Sequence, residues 1–214
     1  MSRTKILSIA GAAVVIGLIL VLAIRSGDDS ASAQEVDGAF LTQMVPHHEG
    51  AIEMAEIAME RAQHPEITQL ANEIVRTQTS EIQRLNEIHE SVFNTSISGS
   101  DQGDLGMDQS MMGMDMDMDA LETARPFDRE FIDQMIPHHQ GAIRMARVQL
   151  RYGEDQETKD LATQIVDAQA REIEQMNAWR KAWYGETSPS GGVPDLDEMG
   201  MSSSPEGMMD HSGH

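Results

Sequence analysis

Cysteine is absent from this chain of 214 residues, so a disulfide, a thiolate metal site and a lipid anchor on cysteine are all excluded. Aromatic residues are scarce as well, at 4% of the composition. Positive charge is also scarce, since 15 Lys and Arg face 36 Asp and Glu and the net charge is −21. An acidic chain of this kind argues against nucleic acid as a partner.

Methionine, by contrast, is abundant, with 17 copies. This number exceeds what core filling requires, and many copies lie in Gly-, Ser- and Asp-rich segments that are not expected to fold. In a chain without thiols, the thioether of methionine is the soft sulfur ligand that remains. We therefore expect methionine to bind a metal as well as to pack.

A duplicated segment occupies the middle of the chain. Phe40–His48 reads FLTQMVPHH and Phe131–His139 reads FIDQMIPHH, and each continues into Gly-Ala-Ile-x-Met-Ala. The offset of 91 residues holds without a gap from Phe40–Phe93 to Phe131–Tyr184. A repeat that keeps two adjacent histidines and flanking methionines favours soft-metal ligation over catalysis.

The N-terminal segment, residues 1–25, is predicted to be a cytoplasmic tip and a transmembrane signal anchor. Ile6–Ile24 is an unbroken apolar run of about the length that spans a bilayer, and Arg3 and Lys5 precede it. This pattern predicts a single-pass protein of the cell membrane with its C-terminal domain outside the cytoplasm. Ala31-Ser32-Ala33 offers an alternative, cleavage after Ala33, which would make the protein secreted or periplasmic.

The remainder is predicted to be all-α. Each repeat contains two amphipathic segments joined by a short turn, so each forms a helical hairpin, and one hairpin cannot bury its own apolar stripe. Two hairpins related by a pseudo-twofold axis would form a four-helix bundle. The predicted divisions are a tether (26–36), the bundle (37–184, with repeats 37–93 and 128–184), a mobile Met/Asp-rich crossover (94–127) and a flexible Met/His-rich tail (185–214).

Local signals predict where the helices begin and end. Asp37 is a candidate N-cap for the first helix, which either kinks or begins at Pro46. His64-Pro65 is typical of a helix start, and in the second repeat Gly153 ends one helix and Asp155 caps the next. Two glycines that follow the histidine pairs, Gly50 and Gly141, indicate close approach of another helix.

The candidate metal ligands share one side of the first helix of each repeat. At about 100° per residue, Met44, His47 and Met54 form a stripe with His48 beside it. The second repeat places Met135, His138, His139 and Met145 in the same way. One such methionine or histidine alone is typical of an ordinary core, but the duplicated constellation predicts metal binding by up to four imidazoles and four thioethers.

Polar residues interrupt the apolar face of the second helix of each repeat. Gln78 and Glu81 lie on that face, and Gln169 and Glu172 recur in the matching places. Because a buried carboxylate without a partner is costly, we expect Glu81 and Glu172 to accept a hydrogen bond from a histidine ring N–H, which fixes the tautomer. Direct metal ligation by Glu81 and Glu172 is the alternative.

Ligand softness predicts the metal. Thioethers with imidazoles favour Cu(I), with Ag(I) as its mimic, over zinc, iron or magnesium. In the C-terminal tail, His211 and His214 are weaker candidates that suit Cu(II) as well. Copper is therefore the expected ligand.

The strings MVPHHEGAIEMA and MIPHHQGAIRMA resemble the signature of the family known as domain of unknown function 305. The resemblance implies a ferritin-like fold and a place among exported copper-binding proteins involved in copper tolerance. The family pattern of the second helix matches Gln169, Glu172, Met176 and Trp179, which implies that Met176 is a further ligand. The first repeat departs from that pattern, with Leu85 and Ile88 at the Met and Trp positions, so the two half-sites are unequal.

The leading hypothesis is a binding protein without a catalytic step, which sequesters or delivers Cu(I). A metal-dependent oxidoreductase is the first alternative. Dinuclear carboxylate sites in helical bundles use a Glu-x-x-His motif, in which a glutamate lies three residues before the histidine. Here the residues three positions before the four histidines are not glutamates: they are Met44, Val45, Met135 and Ile136. A structural ectodomain with a buried polar network is the second alternative. A copper-exporting or copper-oxidising protein, or a second copy of the chain, is a candidate partner.

Overall fold

The computed structural model describes residues 32–97 and 103–195, and these residues form helices and connections without a strand. The helices are α1 (Ala33–Arg61), α2 (Pro65–Phe93), α3 (Met118–Thr123), α4 (Phe127–Tyr152) and α5 (Gln156–Tyr184). The prediction of an all-α fold is confirmed. The apolar run at residues 6–24 lies outside the described residues, and no helix within them is long and apolar enough to cross a membrane.

Helix α1 begins earlier than predicted, at Ala33, inside the segment 26–36 that was expected to be a tether. Ser32 is its N-cap, because the Ser32 hydroxyl accepts from the Glu35 N–H while the Glu35 carboxylate accepts from the Ser32 N–H. The prediction of Asp37 as the cap is wrong. A helix start at Pro46 is wrong too, since α1 runs through it.

The two hairpin turns follow the sequence signals. Pro65 opens α2, where its missing N–H costs nothing, and His64 precedes it in extended conformation. In the second hairpin, Gly153 follows the last residue of α4, and the Asp155 side chain accepts from the Thr158 N–H at the start of α5. Both predicted helix starts are confirmed.

Helices α1 and α4 form the centre of the molecule. Each packs against the second helix of its own hairpin, and the two pack against each other, whereas α2 and α5 contact one another little. The apolar core consists of two clusters, one containing Met54, Met135 and Met176 and the other containing Met44 and Met145. Along α1 and α4 the two adjacent histidines of each helix lie between these clusters.

Buried aspartates at equivalent positions of the two repeats join the hairpins. Asp128 accepts from the backbone N–H groups of Gln63 and His64 in the first hairpin's turn, at 2.9 Å each. Asp37 accepts from the N–H groups of Glu154 and Asp155 in the other turn, at 3.2 and 3.0 Å. Each carboxylate is fully buried, so each hairpin completes the turn of the other.

The crossover and the start of the tail pack on the helices, although both were predicted to be mobile. Residues 103–126 contain α3 and lie against α1 and α4. After α5, the Gln140 side chain donates to the carbonyl oxygens of Ser190 and Gly192 at 2.8 and 2.6 Å, and Ser188 is buried. Low sequence complexity therefore does not prevent these segments from covering the bundle.

Candidate metal site

Four imidazoles form a row across the interface between α1 and α4. The rings of His47 and His138 stack in the middle, with centroids 3.8 Å apart and planes at 25°. The outer rings, His48 and His139, lie 6.2 and 6.5 Å from their inner neighbours. All four side chains are at most 1% exposed. The pairing of the two repeats that the sequence predicted is thus present.

A carboxylate stands at each end of this imidazole row. Glu172 on α5 accepts a hydrogen bond of 2.6 Å from Nε2 of His139. Glu81 on α2 lies 2.8 Å from Nε2 of His48, but off the direction of a good hydrogen bond. The predicted hydrogen bond is confirmed at Glu172, whereas Glu81 approaches its histidine without forming one.

Backbone carbonyls bind the two inner rings. Nε2 of His47 donates to the Met112 carbonyl oxygen at 2.9 Å. Both nitrogens of His138 have carbonyl neighbours at 3.0 Å, Gly113 for Nδ1 and His47 for Nε2. A neutral imidazole has one N–H, so His138 can donate to only one of them.

Burial keeps the inner rings neutral. It lowers the pKa of His138 to about 3, and the neighbouring His139 acts in the same direction, while the two carbonyl contacts oppose it. The pKa of His47 is held well below its usual value of 6.5, mainly by burial and secondly by the nearby His138 and His48. Neutral imidazoles retain the lone pair that a metal ion requires.

Four ring nitrogens in the row are buried without a hydrogen-bond partner. They are the Nδ1 atoms of His47, His48 and His139, and Nε2 of His48. In His47 and His139 the other nitrogen, Nε2, faces an acceptor, so Nδ1 is the nitrogen left free. Nε2 of His48 lies 2.8 Å from the Glu81 carboxylate without a hydrogen bond. Metal-ligating histidines have this arrangement, in which one nitrogen is fixed by an acceptor and the other is free.

Thioethers lie on both sides of the row. Met44 and Met145 share one apolar cluster, Met54, Met135 and Met176 share the other, and all five are fully buried. Met44 and Met135 occupy equivalent positions of the two repeats, and so do Met54 and Met145. Each cluster therefore combines the methionine before the histidines of one repeat with the methionine after the histidines of the other. Packing alone accounts for their burial, so their contact with a metal stays a prediction.

The other predicted site residues separate into two groups. Glu81 and Glu172 lie against Nε2 of His48 and His139, so a metal ion bound by either carboxylate would have to displace that contact. His211 and His214 lie outside the described residues. Within residues 32–97 and 103–195, no three His, Asp or Glu side chains by themselves are arranged to hold a metal ion.

Sequence reasoning missed the role of the crossover. Both glycines after the histidine pairs make room for it: a Cβ on Gly141 would overlap the carbonyl oxygen of Met112, and the predicted approach of a helix is seen only at Gly50, where His138 of α4 is also near. A Cβ on Gly50 would lie 2.7 Å from the terminal methyl carbon of Met116. The signal for this packing was the alternation of Met and Asp in the crossover, which was interpreted as mobile.

These features define a class: an all-helical protein of two repeated hairpins that encloses a row of buried histidines between buried methionines. The family model of the domain of unknown function DUF305 matches residues 37–180, with a second match at 153–213. The chain belongs to this family. The resemblance seen in the repeated His-His strings is thereby confirmed.

Solved structures with this fold include CopM. In its Cu(I)-bound form CopM is 40% identical to this chain with a TM-score of 0.60, over 70% of this chain and 98% of CopM. In its Cu(II)-bound form the identity is 42% and the TM-score 0.62, over 69% and 97% of the two chains. A DUF305 protein of Streptomyces coelicolor that is described as secreted is 26% identical with a TM-score of 0.64, over 74% of this chain and 98% of that protein.

A relative of shorter overlap is an uncharacterized protein, L153, of Acanthamoeba polyphaga mimivirus. It is 37% identical over 75 residues, which are 35% of this chain. The match spans 46% of the viral protein's length. It therefore adds no functional information.

Proposed function

We propose that this chain is an extracytoplasmic protein that binds copper as Cu(I), sequestering or delivering the ion and so contributing to copper tolerance. The family relation supports this proposal, because CopM has been solved with Cu(I), Cu(II) and Ag bound. The residues that would bind the ion here are those of the imidazole row and the methionines beside it.

The observation that carries the proposal is the set of free Nδ1 atoms on His47, His48 and His139. An unpaired nitrogen in a fully buried ring costs free energy unless a ligand or water occupies it. Three such nitrogens in one row, two of them in rings whose Nε2 is hydrogen-bonded, are difficult to explain by folding alone. A metal ion would satisfy them.

The surrounding donors favour a soft, monovalent ion. Thioethers are poor ligands for zinc or magnesium but good ones for Cu(I), and the thioether has no proton to lose. The apolar clusters that contain Met44 and Met54 also disfavour an ion of high charge, since burying charge costs less for a monovalent ion. Cu(I) fits this donor set better than Cu(II).

Binding without catalysis is the proposed activity. The carboxylates nearest the histidines, Glu81 and Glu172, face the ring nitrogens of His48 and His139. A dinuclear oxidase site requires such carboxylates to bridge metal ions.

We also propose that the protein acts outside the cytoplasm and is held at the membrane by residues 6–24. The apolar run and the basic residues before it support this location. The S. coelicolor relative described as secreted agrees with export.

The test is an anaerobic titration of the full chain with Cu(I) in detergent, against a chromophoric Cu(I) chelator. A variant with His48→Gln and His139→Gln removes both Nδ1 atoms while the glutamine amide can still donate toward Glu81 and Glu172. We expect a loss of Cu(I) affinity of at least tenfold with unchanged helical circular dichroism.

The matched control is His89→Gln. His89 is a buried histidine outside the row, and its Nδ1 donates to the Thr95 carbonyl oxygen at 2.8 Å. This variant should bind Cu(I) like the wild type. Equal affinity of all three proteins would remove the imidazole row as the site and favour a structural role for it.

A further inference from the structure

The crossover contributes more than a covering to the imidazole row. Its carbonyl oxygen at Met112 accepts from His47, and the Gly113 carbonyl oxygen lies 3.0 Å from His138. A compact turn fixes this stretch, because the N–H of Met112 donates to the Asp108 carbonyl and that of Met114 to the Gln109 carbonyl. The methionines of this turn are therefore held beside the row.

The Met-Asp alternation separates the two residue types in space. Between the turn and α3 the chain has no regular secondary structure, and the burial of its side chains alternates. Met112, Met114 and Met116 are half-buried, whereas Asp115 and Asp117 are exposed. The carboxylates thus face water and the thioethers face the bundle.

Apolar packing accounts for only some of these thioethers. Met116 and Met118 pack against one apolar cluster and Met112 against the other. Met114 belongs to neither cluster but lines a cavity of about 220 Å³. Met112, Met145 and His47 line the same cavity. Three methionines and one histidine therefore line one small cavity.

The same cavity contains unpartnered polar groups. Nδ1 of His47 has no hydrogen-bond partner, and the ring is 1% exposed. Oε1 of Gln43, which also lines the cavity, is buried without a partner. A wholly apolar cavity would need no ligand, but this one is lined by a histidine with a free ring nitrogen and by three methionines.

We propose that Met112, Met114 and Met145 together with Nδ1 of His47 form a binding site for a soft monovalent metal ion, Cu(I) or Ag(I). The site lies at the edge of the bundle, between solvent and the imidazole row, and so receives the ion before the buried residues do. This inference rests on the proposed function, because it assigns a place of uptake to the same cargo.

The experiment uses the full chain labelled with [methyl-13C]methionine and titrated with Ag(I), which is diamagnetic and does not change oxidation state. The methyl signals of Met112, Met114 and Met145 should shift together within the first equivalents of Ag(I). Single Met→Leu variants assign the signals. Signals of these three residues that stay unshifted while other methionines respond would overturn the site.

A pair of matched variants measures stoichiometry by equilibrium dialysis. Met112→Leu with Met114→Leu removes two sulfur atoms from the cavity, and Met116→Leu with Met118→Leu removes two from the same segment beside the apolar cluster. The first variant should lose one equivalent of Ag(I) and the second none, with the same circular dichroism. Equal stoichiometry in both would refute the site.

The outcomes separate this inference from the proposed function. If the wild-type chain binds neither Cu(I) nor Ag(I), both are overturned. The crossover site alone is overturned if three results occur together. The wild-type chain binds these ions, the His48→Gln, His139→Gln variant loses affinity, and the Met112→Leu, Met114→Leu variant keeps the wild-type stoichiometry.

Discussion

Removing the carboxylate of Glu172 should weaken Cu(I) binding although Glu172 is not expected to touch the ion. Its hydrogen bond to Nε2 of His139 is 2.6 Å long and involves a fully buried ring. A hydrogen bond to a charged group contributes about 1.5–3 kcal/mol, and about 1.4 kcal/mol corresponds to a factor of ten in affinity. Glu172→Ala should therefore lower Cu(I) affinity by about 10- to 100-fold. Glu172→Gln keeps a neutral acceptor of roughly half the strength, so its loss should be nearer tenfold or less.

The assay is the competition titration with a Cu(I) chelator, on the full chain. Glu81→Ala should have a smaller effect than Glu172→Ala, because Glu81 approaches His48 at 2.8 Å without good hydrogen-bond direction. Glu174→Ala is the control, since Glu174 is an exposed carboxylate on the same helix. Affinity of Glu172→Ala within twofold of the wild type would refute the reasoning, as would an equal loss in Glu174→Ala.

Three further predictions concern the metal-free protein and are measured by urea unfolding. Gly141→Ala should lower the free energy of unfolding by about 1–3 kcal/mol because its Cβ would overlap the Met112 carbonyl. Gly50→Ala should lower it less, because only the flexible end of the Met116 side chain is in the way. Equal stability of the two variants would contradict this. Asp128→Ala should cost about 2–4 kcal/mol, since it removes the acceptor of two backbone N–H groups in the opposite turn; a loss under 0.5 kcal/mol would show that water replaces the carboxylate. Stability should fall as pH drops from about 6.5 toward 3, at roughly 1.4 kcal/mol per pH unit for His138, because the unfolded ring takes up a proton near 6.5 and the folded ring only near 3. His138→Gln should flatten this slope, and a slope that the substitution leaves unchanged would exclude the histidine as its source.

The parts of the structure that sequence predicted well depend on local or periodic signals. A proline at the first position of α2 and an aspartate before α5 mark helix starts through their own backbone chemistry. The contact of Glu172 with His139 was predictable because a carboxylate on an apolar face needs a donor, and the histidines were the donors available. The duplication itself indicated that the two histidine pairs would meet.

The errors concern residues whose role depends on distant partners. Asp37 has the chemistry of an N-cap, but its carboxylate accepts from Glu154 and Asp155, more than a hundred residues away. Gly141 was expected to admit a helix and instead admits the crossover. Neither residue type nor spacing identifies the neighbour that fills such a space.

The sequence by itself determined the repeated hairpins, the burial of the histidine pairs and the soft character of the donors, because these follow from periodicity and ligand chemistry. Only the tertiary structure decided which nitrogen of His47 and of His139 is free, since that depends on the carbonyl or carboxylate from another element that meets Nε2. It also decided that the Met-Asp segment covers the row with its sulfur atoms inward. Packing against glycines on two separate helices fixes that orientation, and no local pattern specifies it.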